Sequence, residues 1–509
     1  MGITGLGGLG GLVSGLDSKA LINQLMQIES QPLIRMKQQQ HLLELKKGLY
    51  GEINSSLLAL QSKLQALTDP AVIQKKKVTS SDATVATATV TNQATVTPGT
   101  YSITITQLAT ALTGRSADQT AKITNPTTGA LGYSGTFNIV VDGVQSQTIT
   151  INASDNLNAI ANRINSALDN TASPQLMKIK ATVVNNTLFL STSETGSGHS
   201  VKIINDVSNI FGAGNLGLVD AGGNLIPDST NPDAVGKDAQ FTVNGVAITR
   251  KSNTNLTDVI NGVSLNLLKG TSATPGTATL TIDADLDASV QAVKDFVNQY
   301  NSTLDLIQTR LTEKPIPNAT SDVGMSKGLL RADSALIQIQ SAMRSITGAT
   351  YTGSTIYKTL YSIGIQVDEG GDYGKSGHLM VDESKLRDAL TKNPTEVMKI
   401  FFNDTNGNGR LDPADTGSAA GFAATLYNKI LLLTDTSTVN YGTTSAPNGL
   451  LPSRIDLLTK QMSDYDMRID AFNRHLDMTQ KMLERQFSAL EVMLQQNSSQ
   501  GAFLQSRLG

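Results

Sequence analysis

Apolar residues recur every seven positions near both ends of the 509-residue chain. One row is Ile455, Met462, Ile469, Leu476, Leu483 and Leu490, and a second, three residues on, holds Leu458, Tyr465, Phe472 and Met493. Thr479 and Gln486 are the polar interruptions of that second row. Near the N-terminus Met36, Leu43, Tyr50, Leu57 and Leu64 keep the same step, with Ile53, Leu60 and Leu67 beside them. Steps of three and four put one apolar stripe on a helix, and a stripe this long seeks a second helix. Two amphipathic helices folded back on one core would satisfy it. Two terminal helices packed together as a stalk are expected instead, because nearly everything between them is β-like and threonine-rich. Asp17 is placed to cap a helix from Ser18 to about Ser30, and Pro32 to open a second helix. That helix runs to Leu67, weakened by Gly48 and Gly51, and Asp69-Pro70 ends it.

Between the ends the period changes from seven to two. The runs 84–90 and 101–106 alternate, with Pro98-Gly99 between them, and predict an antiparallel hairpin. An internal repeat follows. Phe137 to Val144 carries Asp142-Gly143, a strand covers 147–151, and Asp155-Asn156-Leu157 opens a helix to Leu168. Phe241 to Val246 carries Asn244-Gly245, and Thr254 to Ile260 reads as a shorter helix running into a strand from Val263 to Leu268. Asp-Gly and Asn-Gly tolerate φ > 0, so both copies predict tight hairpins. Further strands are expected at 182–191 and 201–204, with a glycine-rich connection at 212–233. Helical spacing returns over 286–311, 335–346, 383–390, 395–402 and 422–433, with a short β section at 361–381 and a spacer at 434–453.

Composition narrows the partners. Net charge is −3, charged residues are 16% and aromatics 4%, with no cysteine and no tryptophan. Such a balance argues against a nucleic-acid partner, and no apolar run is long enough to span a bilayer. Without disulfides, stability must come from burial and assembly. Residues 1–16 hold seven of the chain's 44 glycines together with Leu6, Leu9, Leu12 and Val13, so they are expected to order on a partner. They lack the basic start and cleavage site of a secretory signal, which suits export by a route that reads an uncleaved N-terminus.

Catalytic motifs are absent. His41, His199, His378 and His475 have no metal-ligand spacing, and thiol chemistry has no cysteine to use. The run Gly370 to Ser376 resembles a phosphate loop, but Glu369 stands where the first glycine is required and a strand follows, so it reads as a hairpin turn. The triple lysine at 75–77 reads as a solvated junction. One loop has specific spacing. Asp404, Asn406, Asn408, Asp412 and Asp415 fall at positions 1, 3, 5, 9 and 12 of a twelve-residue calcium loop, with Gly409 at position 6 and the Arg410 carbonyl at position 7. A structural Ca2+ is the expectation and a metal-free Asn/Asp/Gly turn the alternative, since position 12 is Asp rather than Glu. No cofactor is otherwise required, and no enzyme is expected.

Several stretches together resemble a known family. Ser14 to Asp17 with Leu25-Met26 and Gln31-Pro32-Leu33, Gly99 to Ala109, the repeat units at 137–168 and 241–260, and Leu379 to Leu386 with Leu390, Asn393-Pro394 and Phe401-Phe402 are similar to the bacterial flagellar hook-associated protein 2 family. Leu379 to Phe402 is the most specific of them. The resemblance implies a multidomain α+β protein with coiled-coil legs, a helical/β body and inserted β-rich head domains. The legs are 1–35 and 470–509, disorder-prone until docked, and the body is 36–78 with 283–469. The β-rich head is 79–115 with 236–282, and 116–235 is an inserted α+β head with the flagellin-type repeat. It further implies a ring-shaped homo-oligomer, taken as a pentamer, at the distal tip of the extracellular filament. The ring would retain exported flagellin and promote its folding and insertion. Its partners would be flagellin, the filament tip, its own copies and an export chaperone before secretion through the flagellar type III apparatus, with no nucleic acid and no membrane. An adhesin binding host glycan or mucin through the head, or another axial hook-associated protein, are the alternatives.

Overall fold

Asp17 opens the first helix in the computed structural model, which describes residues 17–368, 377–441, 444–447 and 449–508. Its Oδ1 accepts the Ala20 N–H at 3.0 Å and caps α1, Ser18–Glu29. Pro32 lies in the first turn of α2, Gln31–Thr68, which runs unbroken through Gly48 and Gly51. A short α3, Pro70–Ile73, follows. The chain then leaves this unit, Met1–Ile73 with Leu286–Gly509, for a second one, Gln74–Asp285.

The second unit has two cores. One lies between a five-stranded and a three-stranded antiparallel sheet. The larger runs in the order Lys76–Ser80, Gly276–Ala284, Gly99–Gln107, Ala239–Val243, Val246–Arg250. The smaller is Leu256–Ile260, Val263–Leu267, Ala86–Val90. Ile103, Ile105, Phe241, Leu265 and Leu280 fill the space between them. The other core gathers Phe137, Ile139, Leu188, Leu190, Phe211 and α4, Leu157–Asn165, whose Asn156 Oδ1 accepts the Ala159 N–H. Both predicted tight hairpins form: Val141 pairs with Val144 across Asp142 (φ 51°) and Gly143 (φ 86°), and Val243 with Val246 across Asn244 (φ 50°) and Gly245 (φ 82°).

Two expectations fail here. The runs near 84–90 and 101–106 are strands but do not pair. Ala86–Val90 pairs with Val263–Leu267, and Gly99–Gln107 lies between Gly276–Ala284 and Ala239–Val243. The longer register offered by the returning strand displaces the local hairpin. The expected helix at 254–260 is instead the strand Leu256–Ile260. Leu256 and Ile260 are both buried four residues apart, which imitates helical spacing, but a register shift between them produces it. Thr257, Val259 and Ile260 are β-branched, and Gly262 at φ 76° turns the chain where a Cβ would meet Asn92 O at 2.9 Å.

The first unit resumes with α5, Leu286–Thr312. After it come α6, Asp322–Ser326, and α7, Ser334–Thr347. A strand pair, Ile365–Val367 with Leu379–Val381, precedes α8, Glu383–Lys392, and α9, Pro394–Phe401. The turn expected at 370–376 lies outside the described residues, as does the segment 1–16. Then come α10, Phe422–Thr434, and α11, Leu450–Leu508. Part of the expected spacer is a two-stranded ribbon, Thr438–Tyr441 with Thr444–Pro447. The core joins Ile53, Leu57, Leu60 and Leu64 of α2 to Phe296, Tyr300 and Leu304 of α5 and Phe422 of α10. Phe422 takes Phe296 and Tyr351 edge-on, with ring centroids 5.4 and 6.2 Å apart. Burying each such side chain stabilises by about 1.5–3 kcal/mol, so α2 is held chiefly by this face.

Candidate functional site

The terminal helices α1, α2 and α11 form one antiparallel assembly. Gln40 Nε2 donates to Asp466 Oδ1 at 2.6 Å and to Met462 O at 3.4 Å, and nearer the chain ends Ser18 Oγ donates to Glu491 Oε1. Positions on α11 rise as those on α1 and α2 fall, which fixes the direction. A 59-residue helix is about 88 Å long, so α11 outruns the 38-residue α2 and carries α1 on its distal half.

Burial is graded along this assembly. From Leu49 to Leu67 the α2 stripe is closed, and on α11 Leu451, Leu458 and Ile469 are buried. Distally Leu21, Leu25 and Ile28 of α1, Ile34 of α2, and Leu490, Val492, Met493 and Leu504 of α11 are exposed. The heptad on α11 holds through Ile469, Phe472, Leu476, Thr479 and Leu483. It then shifts phase, so Phe487, Glu491 and Leu494 are the less exposed positions. Three four-residue steps in succession after Thr479 break the alternation of three and four as a stutter does, which locally unwinds the supercoil. Leu490, Met493 and Gln486, expected in the stripe, therefore stand outside it. The signal was present in the sequence as Leu483, Phe487 and Leu494.

At the closed end the stripe is joined by polar ties that the sequence pattern does not reveal. Tyr50 donates to Asp333 Oδ2 at 2.6 Å, and Asp333 Oδ1 accepts the Ala335 N–H at the start of α7. Burial, with that carboxylate beside it, raises the Tyr50 pKa above the ordinary phenol value. Ser56 and Thr303 hydroxyls bond at 2.8 Å between α2 and α5, and Arg310 Nη2 meets Glu52 at 2.8 Å. Glu396 of α9 was also missed. Its Oε2 accepts Ser354 Oγ at 2.7 Å, the Thr355 N–H at 2.6 Å and Thr355 Oγ1 at 3.0 Å, while Oε1 meets Lys399 Nζ at 2.9 Å. Lys399 foremost, then Ser354 and Thr355, hold its carboxyl far below the usual carboxylate range.

The loop 404–415, which carries the six predicted calcium residues, lies between α9 and α10 and is tied by its own hydrogen bonds. Asp404 Oδ1 accepts the Gly407 N–H and Oδ2 the Gly409 N–H, both at 2.7 Å. Asn406 Oδ1 accepts the Asn408 N–H and Asn408 Oδ1 the Arg410 N–H. Both asparagine amides donate to the Asp412 carboxylate, which also takes the Ala414 N–H. Asp415 is fully buried and accepts Thr405 N–H and Oγ1 on one oxygen and the Asp412 N–H on the other. The Gly409 N–H foremost lowers the Asp404 pKa, and the Ala414 N–H that of Asp412. The donor set fits a hard cation in chemistry. Among the described residues, however, no three His, Asp or Glu side chains stand grouped as a metal cluster.

The histidines do other work. His41 Nε2 meets Asp322 at 2.9 Å, His199 Nδ1 meets Asp142 at 2.7 Å and His378 Nε2 meets Asp305 at 2.7 Å. His475 lies beside the Phe472 ring. Each is separate from the others, as their spacing predicts. Among the described residues no helix is long and apolar enough to cross a membrane.

Comparison with known proteins places these features in a family. The family described as flagellar hook-associated protein 2 C-terminus matches residues 236–499, and flagellar hook-associated protein 2 N-terminus matches residues 14–112. Flagellar hook-associated protein 2 of Halalkalibacterium halodurans is 25% identical, covering 98% of this chain and 99% of its own length. The A-type protein of Pseudomonas aeruginosa is 27% identical over 98% and 96%, and that of Escherichia coli K12 is 26% identical over 97% and 96%. Among solved structures, the D1-D2-D3 domains of the flagellar cap protein FliD from Escherichia coli align at TM-score 0.52 and 26% identity. The alignment covers 81% of this chain and 99% of that one.

Proposed function

Because the chain belongs to the flagellar hook-associated protein 2 family and so caps the flagellar filament, we propose that its terminal helices are the docking device. The observation that carries this reading is the burial gradient. Apolar side chains are closed in where α2 meets the body and exposed over the distal parts of α1 and α11, a surface suited to another helical array and poor for a free chain. Copies of the chain assemble as a ring, taken as a pentamer, at the extracellular tip. The ring retains exported flagellin, promotes its folding, and shifts to admit each new subunit. Before that, an export chaperone binds the chain, which then leaves the cell through the flagellar type III apparatus. Its role is structural.

Cap-deficient cells expressing a chain that ends at Glu491 test this. Filaments should stop elongating and flagellin should accumulate in the medium. Filaments of normal length would overturn the docking role of the distal helix.

We also propose that the loop 404–415 takes a structural Ca2+ on Asp404, Asn406, Asn408, Asp412, Asp415 and the Arg410 carbonyl. The six oxygens at calcium-loop spacing support it, as do the lowered pKa values of Asp404 and Asp412. Ligand at a hundred times its Kd stabilises by about 2.7 kcal/mol, so the full chain should melt higher in millimolar calcium than in chelator. Asp404→Ala should remove the difference. Identical melting curves and no titration heat would end the proposal.

A further inference from the structure

Asparagine followed by glycine is a chemically weak point in a chain, because a glycine nitrogen, unshielded by any side chain, can attack the asparagine amide. The sequence holds five such pairs, Asn244-Gly245, Asn261-Gly262, Asn406-Gly407, Asn408-Gly409 and Asn448-Gly449. Hydrogen bonds divide them. The Gly407 and Gly409 N–H groups donate to the two oxygens of Asp404, each at 2.7 Å, and the Gly449 N–H donates to Asp435 O at 2.8 Å. A nitrogen whose proton is engaged in this way is a poor nucleophile. Asn244 is restrained at the other reactant. Its Oδ1 accepts the Ser102 N–H at 2.8 Å, which ties the amide to a neighbouring strand instead of leaving it free to turn toward Gly245. Asn261 is the exception. Its side chain is exposed, and among the described residues neither that side chain nor the Gly262 N–H has a hydrogen-bond partner.

We propose that Asn261 is the site at which the folded chain deamidates. The Gly262 nitrogen gives up its proton to water or hydroxide and bonds to Asn261 Cγ. The Cγ–Nδ2 bond then breaks, and ammonia leaves with a proton taken from water. Water opens the resulting five-membered imide at one of its two carbonyls, giving aspartate or isoaspartate. Asn261 and Gly262 are the two-residue turn between Leu256–Ile260 and Val263–Leu267, where Ile260 pairs with Val263. Glycine is obligatory there, since φ is 76° and a Cβ would meet Asn92 O and Val96 N, each at 2.9 Å. The turn therefore cannot exchange it for a residue whose side chain would block the attack. Gly262 O accepts the Thr91 N–H at 2.8 Å and the Asn92 N–H at 3.2 Å, so the turn is pinned to the segment that follows Ala86–Val90. Isoaspartate adds a methylene to the main chain, which shifts this carbonyl off its two donors and loosens the three-stranded sheet. Deamidation here limits the lifetime of the second unit, independently of how the chain caps a filament.

The full chain is aged in mildly alkaline buffer, folded or in urea, then cut with trypsin and read by peptide mass and by enzymatic methylation of isoaspartate. Trypsin separates the pairs, with Asn244 in 238–250, Asn261 in 252–269, and Asn406 and Asn408 together in 400–410. In the folded chain 252–269 should convert first, at least about tenfold faster than 400–410, the factor that one hydrogen bond to a charged group is worth. In urea the rates should converge. Asp404→Ala frees the Gly407 and Gly409 N–H groups and should speed conversion of 400–410 while leaving 252–269 unchanged. The aged unsubstituted chain should melt below aged Asn261→Ser, which has no amide to lose. Another pair converting first, or folded rates in the same ratio as in urea, would overturn the site. So would an Asn261 still intact when the chain in urea has converted. Equal melting once Asn261 has converted would overturn the loosening.

Discussion

Glu396 shows how much one side chain can organise. Its carboxylate gathers the turn Ser354–Thr355 from 41 and 42 residues away and binds Lys399 one turn along its own helix. Hydrogen bonds to a charged group contribute about 1.5–3 kcal/mol, so Glu396→Gln should destabilise the helical unit by that order in urea melts. The pH dependence has a definite sign. The folded carboxyl titrates far below the unfolded value of about 4.3, so the unfolded chain binds the extra proton in between. Stability from this group is present above about pH 4.3 and falls as pH drops below it, and Glu396→Gln should flatten that part of the profile. His41 has the opposite sign. Asp322 foremost raises its pKa, so its tie holds below about pH 6.5 and weakens as pH rises through the folded value. Gly48 and Gly51 carry no such constraint: a Cβ at either meets nothing within 4 Å, and neither has positive φ. Alanine at Gly48 should therefore stabilise α2 by about 0.5–1 kcal/mol, read as a rise in midpoint denaturant. An unchanged or lower midpoint would mean that this glycine serves a bend or a contact absent here.

Among the elements, the helices were the legible part, because a seven-residue stripe, an Asp cap and a proline at the first turn are local signals. Asp17, Pro32, Asn156 and the two Asx-Gly turns act within a few residues of themselves, and all stand where the pattern puts them. Strand partners were not legible. Nothing in 84–106 shows that Gly99 will pair with Ile282 rather than with its own neighbour run, since that choice is made by a strand nearly two hundred residues away. The Glu396 hub was hidden for the same reason. The phase shift on α11 was readable but overridden by the longer regular row. It separates two residues that the seven-residue reading treats alike. Thr479 is partly covered in the closed row, whereas Gln486 is exposed outside it. Thr479→Leu should tighten the α11 coil, raise its melting temperature and slow filament growth. Gln486→Leu should leave melting unchanged. Equal effects from both would restore the unbroken heptad.

The whole molecule is an insertion. The chain leaves the helical unit at Ile73 and re-enters it at Leu286, and the inserted unit ties its own ends together. Asp285 N–H donates to Lys75 O at 2.6 Å, and Lys76–Ser80 pairs residue for residue with the last five positions of Gly276–Ala284. Ends held this way can be cut without opening either core, since each unit has its own closed set of buried side chains. The helical core owes nothing to 74–285: Leu57 and Leu60 of α2 meet Phe296 and Leu304 of α5 within one cluster. It follows that residues 74–285 expressed alone should unfold in a cooperative transition. A chain in which they are replaced by a short Gly-Ser linker should keep its helicity and the Tyr50–Asp333 tie, visible as a phenol that resists titration above its ordinary pKa. Cap function divides accordingly. The linked helical unit should still bind filament ends in a pull-down with preformed filaments, because the exposed distal apolar residues of the docking surface lie on α1, α2 and α11. A linked chain that folds yet fails to bind would move docking to the inserted unit.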